Sequence, residues 1–206
     1  MSPRVELAVR KAPRRTHAER TAETRARIMG AVVESIAEVG FKRSTAAEIA
    51  RRAGVTWGAV QHHFGGKDGI LAAVLEDSFE RFARRLGDVE VEGVPLERRV
   101  ALFVGRAWEH FSSPHFRSTF EILQHYAGAA DNGWQGQMLA AWDRIWSRLF
   151  EDAHLPRRRR IALQHYTISC LTGLAALLRF QAPSARVLAD ELALLEDTLV
   201  RELRHE

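Results

Sequence analysis

Apolar residues recur through most of this chain at the three- and four-residue spacing that marks one face of a helix. Ile28, Ala31, Val32, Ser35, Ile36 and Val39 form one such stripe, on a helix that starts near Ala18 and meets Gly40 where a C-terminal glycine belongs. Thr45-Ala46-Ala47-Glu48 has the form of a capping box ahead of Ile49 and Ala50, and Gly54 interrupts the short helix it opens. Thr56 can cap a third helix from Trp57 to about His62, before Phe64-Gly65-Gly66 breaks the chain. A fourth, from Lys67, sets Ile70, Leu71, Val74, Leu75, Ser78, Phe79 and Phe82 on one face. Residues 87–95 read as a linker, because the short Val/Glu alternation there has no partner strand. Four or five longer helical segments follow, at about 96–111, 115–127, 134–152, 157–180 and 185–203. Ser112-Ser113-Pro114, residues 128–133, Pro156 and Pro183-Ser184 punctuate them. With no convincing strand and no internal repeat, the expected fold is all-α, with about nine helices.

Charge divides the chain. Of 206 residues, 46% are apolar and 27% charged, enough to bury a core in one large domain or two small ones. The net charge is only +4, yet residues 1–67 carry 13 basic and 6 acidic side chains while the remainder carries 17 and 20. A polyanionic partner is therefore expected at the N-terminal third. Residues 1–17 are a basic arm (Arg4, Arg10, Lys11, Arg14, Arg15), read either as a solvated tail or as a source of extra phosphate contacts.

Other classes fall away. A single cysteine, Cys170, forms no internal disulfide and reads as a small buried apolar residue rather than a thiol sensor. The nearly apolar run from Ile168 to Leu178 is about half the ~20 residues needed to cross a bilayer. The N-terminal stretch lacks a signal peptide's apolar core. A soluble, cytoplasmic chain is expected. There is no Walker loop, Gly-x-Ser-x-Gly, His-Glu-x-x-His or Cys-x-x-Cys motif, and His110, His115, His125, His154 and His165 lack ligand spacing. His62 and His63 are adjacent, so they point about 100° apart on a helix. Neither catalysis, metal nor cofactor is expected.

Three short helices with a glycine-centred turn between the last two make a helix-turn-helix. Ile49 and Ala50 face inward, Ala53 and Gly54 permit a close crossing, Val55 plugs the junction, and Val60 with Phe64 locks the third helix onto the first. The third helix is left to present Trp57, Ala59, Gln61 and His62, and a helix of this width enters the major groove N-terminus first. Trp57 either meets DNA or packs on a neighbour. The stretches Thr24-Arg-Ala-Arg-Ile28, Glu38-Val-Gly-Phe41, Ser44-Thr-Ala-Ala-Glu-Ile-Ala-Arg-Arg-Ala-Gly-Val-Thr56, Gly58-Ala-Val-Gln-His-His-Phe64 and Lys67-Asp-Gly-Ile-Leu71 resemble, without gaps, the DNA-binding domain of the TetR (tetracycline-repressor-like) family.

The resemblance implies a homodimeric repressor whose recognition helices enter successive major grooves of a near-palindromic operator in double-stranded DNA. Carried over by position, Thr56 is the N-cap that also reaches phosphate, Gly58 lies close to the DNA, and His62 and Lys67 are backbone anchors. Trp57 and Ala59 tune sequence choice, with Thr45, Ala46 and Ala47 at the start of the second helix. Gln61 departs from the family's usual tyrosine, so its contact is to a phosphate or a base. The implied organisation is an arm (1–17), a helix-turn-helix domain (18–66) and a helical effector-binding and dimerisation domain (67–206).

Ten of the chain's seventeen aromatic residues fall between Phe103 and Phe150. Trp108, Phe111, His115, Phe120, Gln124, Trp142 and Trp146 are candidates to line a cavity for a small hydrophobic or aromatic effector, the plainer reading of each being ordinary core. Leu188, Leu192, Leu195, Leu199 and Leu203 make a nearly heptad stripe. With Leu171, Leu174 and Leu178 of the preceding helix, they are the expected four-helix dimer interface, unless the stripe only closes the protomer core. Arg157 to Arg160 read as a solvated helix start, with an anionic partner as the alternative. An activator, or a regulator controlled by a protein partner, remains the alternative function.

Overall fold

The computed structural model describes residues 16–126, 134–178, 180 and 184–204, the side chains of 126, 134, 135 and 137 excepted. Most of the expected arm, the break at 128–133, Pro183 and the side chains of Tyr126 and Trp134 lie outside the described residues. The fold is all-α: nine α-helices and one 3-10 turn occur among the described residues, without a strand. No helix there is long and apolar enough to cross a membrane.

Local chemistry explains the first elements. α1 (His17–Val39) opens on Thr16, whose hydroxyl accepts from the Glu19 N–H while Glu19 reaches back to the Thr16 N–H. Gly40 ends it at φ 79°, and a 3-10 turn (Phe41–Arg43), which the apolar pattern does not announce, leads onward. α2 (Ala46–Ala53) is capped by Thr45, whose hydroxyl accepts from the Glu48 N–H at 3.3 Å. The reciprocal half of the expected capping box is missing because the Glu48 carboxylate is taken by Arg51 and Arg52. α3 (Trp57–Phe64) is capped by Thr56 and runs past His62 to Gly65, which adopts the left-handed conformation. α4 (Lys67–Gly87) follows at once.

The remaining helices are α5 (Leu96–Phe111), α6 (Pro114–Tyr126), α7 (Trp134–Leu149), α8 (Arg157–Leu177) and α9 (Ala185–Arg204). α7 stops short of the expected residue 152, and Arg99 supplies the reason. Its buried guanidinium donates to the Leu149 carbonyl at 2.5 Å and pairs with Asp152, satisfying a last-turn acceptor that further helix would otherwise bond. The 87–95 linker is tied down through buried Val89, with Arg148 donating to the Leu86 and Val89 carbonyls.

Two apolar cores result. Ile28, Val32, Ile36, Ile49, Ala53 and Val60 pack with Ile70, Leu71, Val74 and Leu75 from the first half of α4, and with Ile122 of α6. The second core joins Phe82 and Leu86 of α4 to Phe103 and Val104 of α5, Trp142 and Trp146 of α7, and residues of α8 and α9. α4 therefore belongs to both cores, and no break in packing falls at residue 67. Leu195, Leu199 and Leu203 turn inward onto α5, and Leu171 is fully buried with them. The Leu195–Leu199–Leu203 part of the stripe thus closes the protomer.

Candidate nucleic-acid interface and effector cavity

The α2–α3 turn is built by Gly54 at φ 63° and by the Val55 N–H, which donates back to the Ala50 carbonyl at 3.1 Å. Val60 is completely buried, with Val55 and Phe64 half-buried beside it, so α3 has one inward face. Thr45, Ala47, Thr56, Gly58, Gln61 and His62 are exposed, while Ala46, Ala59 and Lys67 are half-buried. Trp57 is also half-buried, packed against the N-terminal core, so only part of its ring remains for a partner. The ten residues singled out for DNA contact therefore share the N-terminal ends of α2, α3 and α4 and the outer side of α3.

Electrostatics sort the basic residues. Arg51 and Arg52 both hydrogen-bond Glu48 and hold its carboxyl down to about 2. Arg52 also pairs with Glu38 at 2.6 Å, and the hydrogen bond from Arg52 lowers the Glu38 carboxyl too. These two arginines are largely neutralised within the protein. Lys67 instead rests its ammonium 5.1 Å above the Phe41 ring. Arg25 lies 4.2 Å over the Phe64 ring and donates to the His63 carbonyl, clamping the end of α3 to α1. Sequence reasoning did not single out Arg25 or Phe41, although Arg25 stands one turn before Ile28 on the inward stripe. The His62 and His63 ring centroids are 5.4 Å apart, and no cluster with metal-ligating potential occurs among the described residues.

A cavity of about 130 Å³ lies between α4, α5, α6, α7 and α8. Of the seven candidates, Phe111, Phe120 and Trp142 line it, joined by Phe79 and Phe82 of α4, by His110 and by Phe116. The other four lie elsewhere. Trp146 is buried in the core and Trp108 packs against it half-exposed. Gln124 is exposed at a shallow cleft beside the 3-10 turn. His115 faces a second cleft, between α1 and α4, which Met29, Val33, Asp77 and Arg81 also line. The cavity's aromatic walls interlock: Phe82 stacks on Trp142 at 5.3 Å and meets Phe111 edge-on at 5.8 Å. Burial, with His115 and Arg85 adding to it, pushes the His110 imidazole down to about 4, so it is neutral near pH 7.

On the C-terminal helices, Leu171, Leu195 and Leu199 are buried, while Leu174, Leu178, Leu188 and Leu192 are half-buried. The outward surface carries a different set: Tyr166, Leu177, Phe180, Val187 and Leu194, with Phe180 and Leu194 as much as 86% and 66% exposed. Cys170 is half-buried beside Tyr166. Of the arginine run, Arg159 pairs with Glu202 and Arg160 with Asp143, leaving Arg157 and Arg158 exposed at the helix start.

Comparison with known proteins agrees with this architecture. Residues 28–74 match the model of the bacterial regulatory proteins of the tetR family. The chain is 37% identical over 136 residues to the transcriptional regulator SrpR of Pseudomonas putida, a match covering 64% of this chain and 60% of SrpR. At the same identity and length it matches the regulator TtgW, also of Pseudomonas putida, covering 95% of that protein. In fold it is similar to a TetR-family protein from Vibrio parahaemolyticus (TM-score 0.62, 21% identity, 85% of this chain and 97% of that one). Salmonella enterica GusR is similarly close, with a TM-score of 0.65 at 19% identity over 88% of this chain and 96% of that one. SrpR and TtgW are both HTH-type transcriptional regulators. The chain belongs to the TetR family of bacterial regulatory proteins and is a DNA-binding transcriptional regulator.

Proposed function

We propose that this regulator is a homodimeric repressor that binds a near-palindromic operator and is released by a small apolar effector. Residues 18–66 read the DNA, and residues 67–206 take the effector and form the dimer. Thr56, Gln61 and His62 lie on the exposed surface of α3, which supports its entry into the major groove, with Gly58 allowing close approach and Trp57 and Ala59 at the groove-facing start. Thr45, Ala46 and Ala47 approach from the start of α2, and Lys67 anchors a phosphate. The outer face of α8 and α9 meets the same face of a second copy through Tyr166, Leu177, Phe180, Val187 and Leu194. Half-buried Leu174, Leu178, Leu188 and Leu192 border that seam, and an exposed apolar surface of this kind favours self-association.

The observation that carries the allosteric part is the course of α4. Its first half packs against α1 and α3 in the DNA-binding core, and its second half puts Phe79 and Phe82 into the cavity wall. An effector that fits the cavity better when α4 is displaced from its DNA-competent position disfavours operator binding. A 10- to 100-fold loss of affinity requires about 1.4–2.7 kcal/mol of such preference.

Selection from a random duplex pool, followed by binding to the winner against salt, tests the reading. An enriched palindrome with a steep negative salt slope is the expected result. Enrichment of a lone half-site would remove the dimer, and no enrichment at low salt, with and without a metabolite extract, would remove the DNA-reading role of α3.

A further inference from the structure

We propose that the cavity takes a neutral, single-ring aromatic molecule bearing one hydrogen-bond acceptor, which the indole N–H of Trp142 holds. This rests on the reading of the cavity as the effector site. Size comes first. The cavity measures about 130 Å³, close to the ~150 Å³ of an engineered apolar cavity that takes up benzene. One substituted ring fits such a space.

Charge comes next. Among the described residues no Asp, Glu, Lys or Arg lines the cavity, and the one titratable wall residue there, His110, is held neutral by burial. A charged ligand would shed its hydration without meeting a counter-charge, which is costly. Ring faces and edges from Phe79, Phe82, Phe111, Phe116 and Phe120 instead suit an aromatic guest.

The acceptor follows from an unmet donor. Trp142 is 2% exposed, and its Nε1–H has no hydrogen-bond partner among the described residues. A buried donor left unpaired is a standing cost that an entering acceptor relieves. The indole is pinned by its stack on Phe82 and by Phe103 and Trp146 around it, at centroid distances of 5.3, 5.8 and 6.4 Å. Two of the three wall hydroxyls are already engaged, since Thr119 donates to the Phe116 carbonyl at 2.9 Å and lies 3.4 Å from Ser78 Oγ; Thr172 is the third. The Trp146 Nε1–H is also unpartnered, but Trp146 does not line the cavity, so of these two indole donors only that of Trp142 belongs to a wall residue.

Four probes of nearly one shape isolate the terms: acetophenone (neutral, acceptor), cumene (neutral, no acceptor), benzoate (anion) and benzamidine (cation). Ligand-observed NMR titration of the full chain and of Trp142→Phe gives the affinities. Acetophenone is expected to bind about five- to tenfold more tightly than cumene, and neither ion should bind at concentrations that saturate acetophenone. Trp142→Phe should bring acetophenone to the level of cumene while cumene changes less than about twofold, which also shows that the variant is folded and its cavity intact. In the unmodified protein, the Trp142 indole 1H–15N resonance should move downfield with acetophenone and not with cumene, a readout that does not depend on the variant. Equal binding of the two neutral probes, a ratio that survives in Trp142→Phe, or an indole resonance indifferent to acetophenone overturns the donor assignment. Tighter binding of benzoate or benzamidine than of cumene overturns neutrality. If none of the four binds, the effector-cavity reading itself fails.

Discussion

Replacing Gly69 by alanine sets a propensity gain against a steric cost, and the geometry decides which wins. Gly69 lies in the first turn of α4, immediately after the Gly65-Gly66 break that ends α3. A Cβ there would stand 1.8 Å from the Phe64 carbonyl oxygen and 3.0 Å from its carbon. That neighbour is backbone, the last residue of α3, so it has no rotamer with which to yield. Opening the contact to van der Waals range means shifting α3 against α4 by more than about 1 Å, and overpacking of this kind costs about 1–3 kcal/mol or more. Alanine's helix preference returns at most about 1 kcal/mol. The net expectation is a loss of about 1–2 kcal/mol, which is roughly 2–8 °C in Tm for a chain of this size. Gly105→Ala is the matched control: it lies mid-α5, exposed, and its added Cβ meets nothing within 4 Å. That variant should gain about 0.5–1 kcal/mol. Urea unfolding followed by far-ultraviolet circular dichroism at one fixed protein concentration measures both, with m unchanged. Because the clash falls on α3, operator affinity of Gly69→Ala should drop even where the variant is fully folded. Equal or greater stability of Gly69→Ala than the parent would refute the close-packing argument.

Arg99→Met removes the donor that serves the Leu149 and Val94 carbonyls, so urea unfolding should show a loss of about 2–3 kcal/mol; a loss below ~0.5 kcal/mol would mean that water replaces the guanidinium. His110 is neutral when folded and has an ordinary histidine value when unfolded, so only the unfolded chain gains its proton as pH falls from about 6.5 towards 4. Stability should be fully present above that window and decline by up to about 3 kcal/mol across it, with His115 acting in the same direction through its own burial; His110→Asn should flatten the decline in unfolding free energy measured against pH. Leu194→Arg should convert the proposed dimer to monomer by light scattering with little change in protomer helicity, whereas Leu199→Ala, at a fully buried position, should cost about 2–5 kcal/mol.

Helix existence and the local turns were written in short-range chemistry. Thr45 and Thr56 as caps, and Gly40 and Gly54 as terminators, need only neighbours three or four residues away. Which partner an apolar stripe meets is a different question. Leu195 and Leu199 repeat with a period equally suited to a second subunit and to α5, and the structure gives them to α5. The residues left outward, Val187 and Leu194, lie off that stripe, one heptad apart, where one strongly charged helix face hides the signal. The cavity was partly legible for the same reason. Aromatic density pointed to Phe111, Phe120 and Trp142, but Phe79 and Phe82 reach the same space from α4, and their inward spacing is indistinguishable from core. Gly69 lay beyond sequence reasoning because its constraint is one carbonyl oxygen of the preceding helix.

α6 supplies a second connection between the cores, and Phe41 is where it meets the 3-10 turn. Phe116 and Phe120 on α6 line the cavity. On other faces of the same helix, Ser118 donates to the Val33 carbonyl at 3.0 Å, and Glu121 accepts from the Phe41 N–H at 3.2 Å. The His125 ring stacks on Phe41 at 4.4 Å, and Lys67 sits over that same ring. A shift of α6 is therefore felt at Phe41, and through it at the cation proposed to hold a phosphate. Phe41→Leu keeps apolar bulk and the backbone bond to Glu121 but removes the π-face under Lys67. A cation–π contact at such a site contributes about 0.5–1 kcal/mol, so operator affinity should fall about two- to fivefold. The slope of log affinity against log salt should stay the same, because the charge on Lys67 remains and the same counterions are released. Lys67→Gln, by contrast, should lower that slope by about one unit. Unchanged affinity in Phe41→Leu, or a slope that falls with it, would show that the ring does not position Lys67 and that α6 reaches the DNA-binding helices by its packing on α1 and α4 alone.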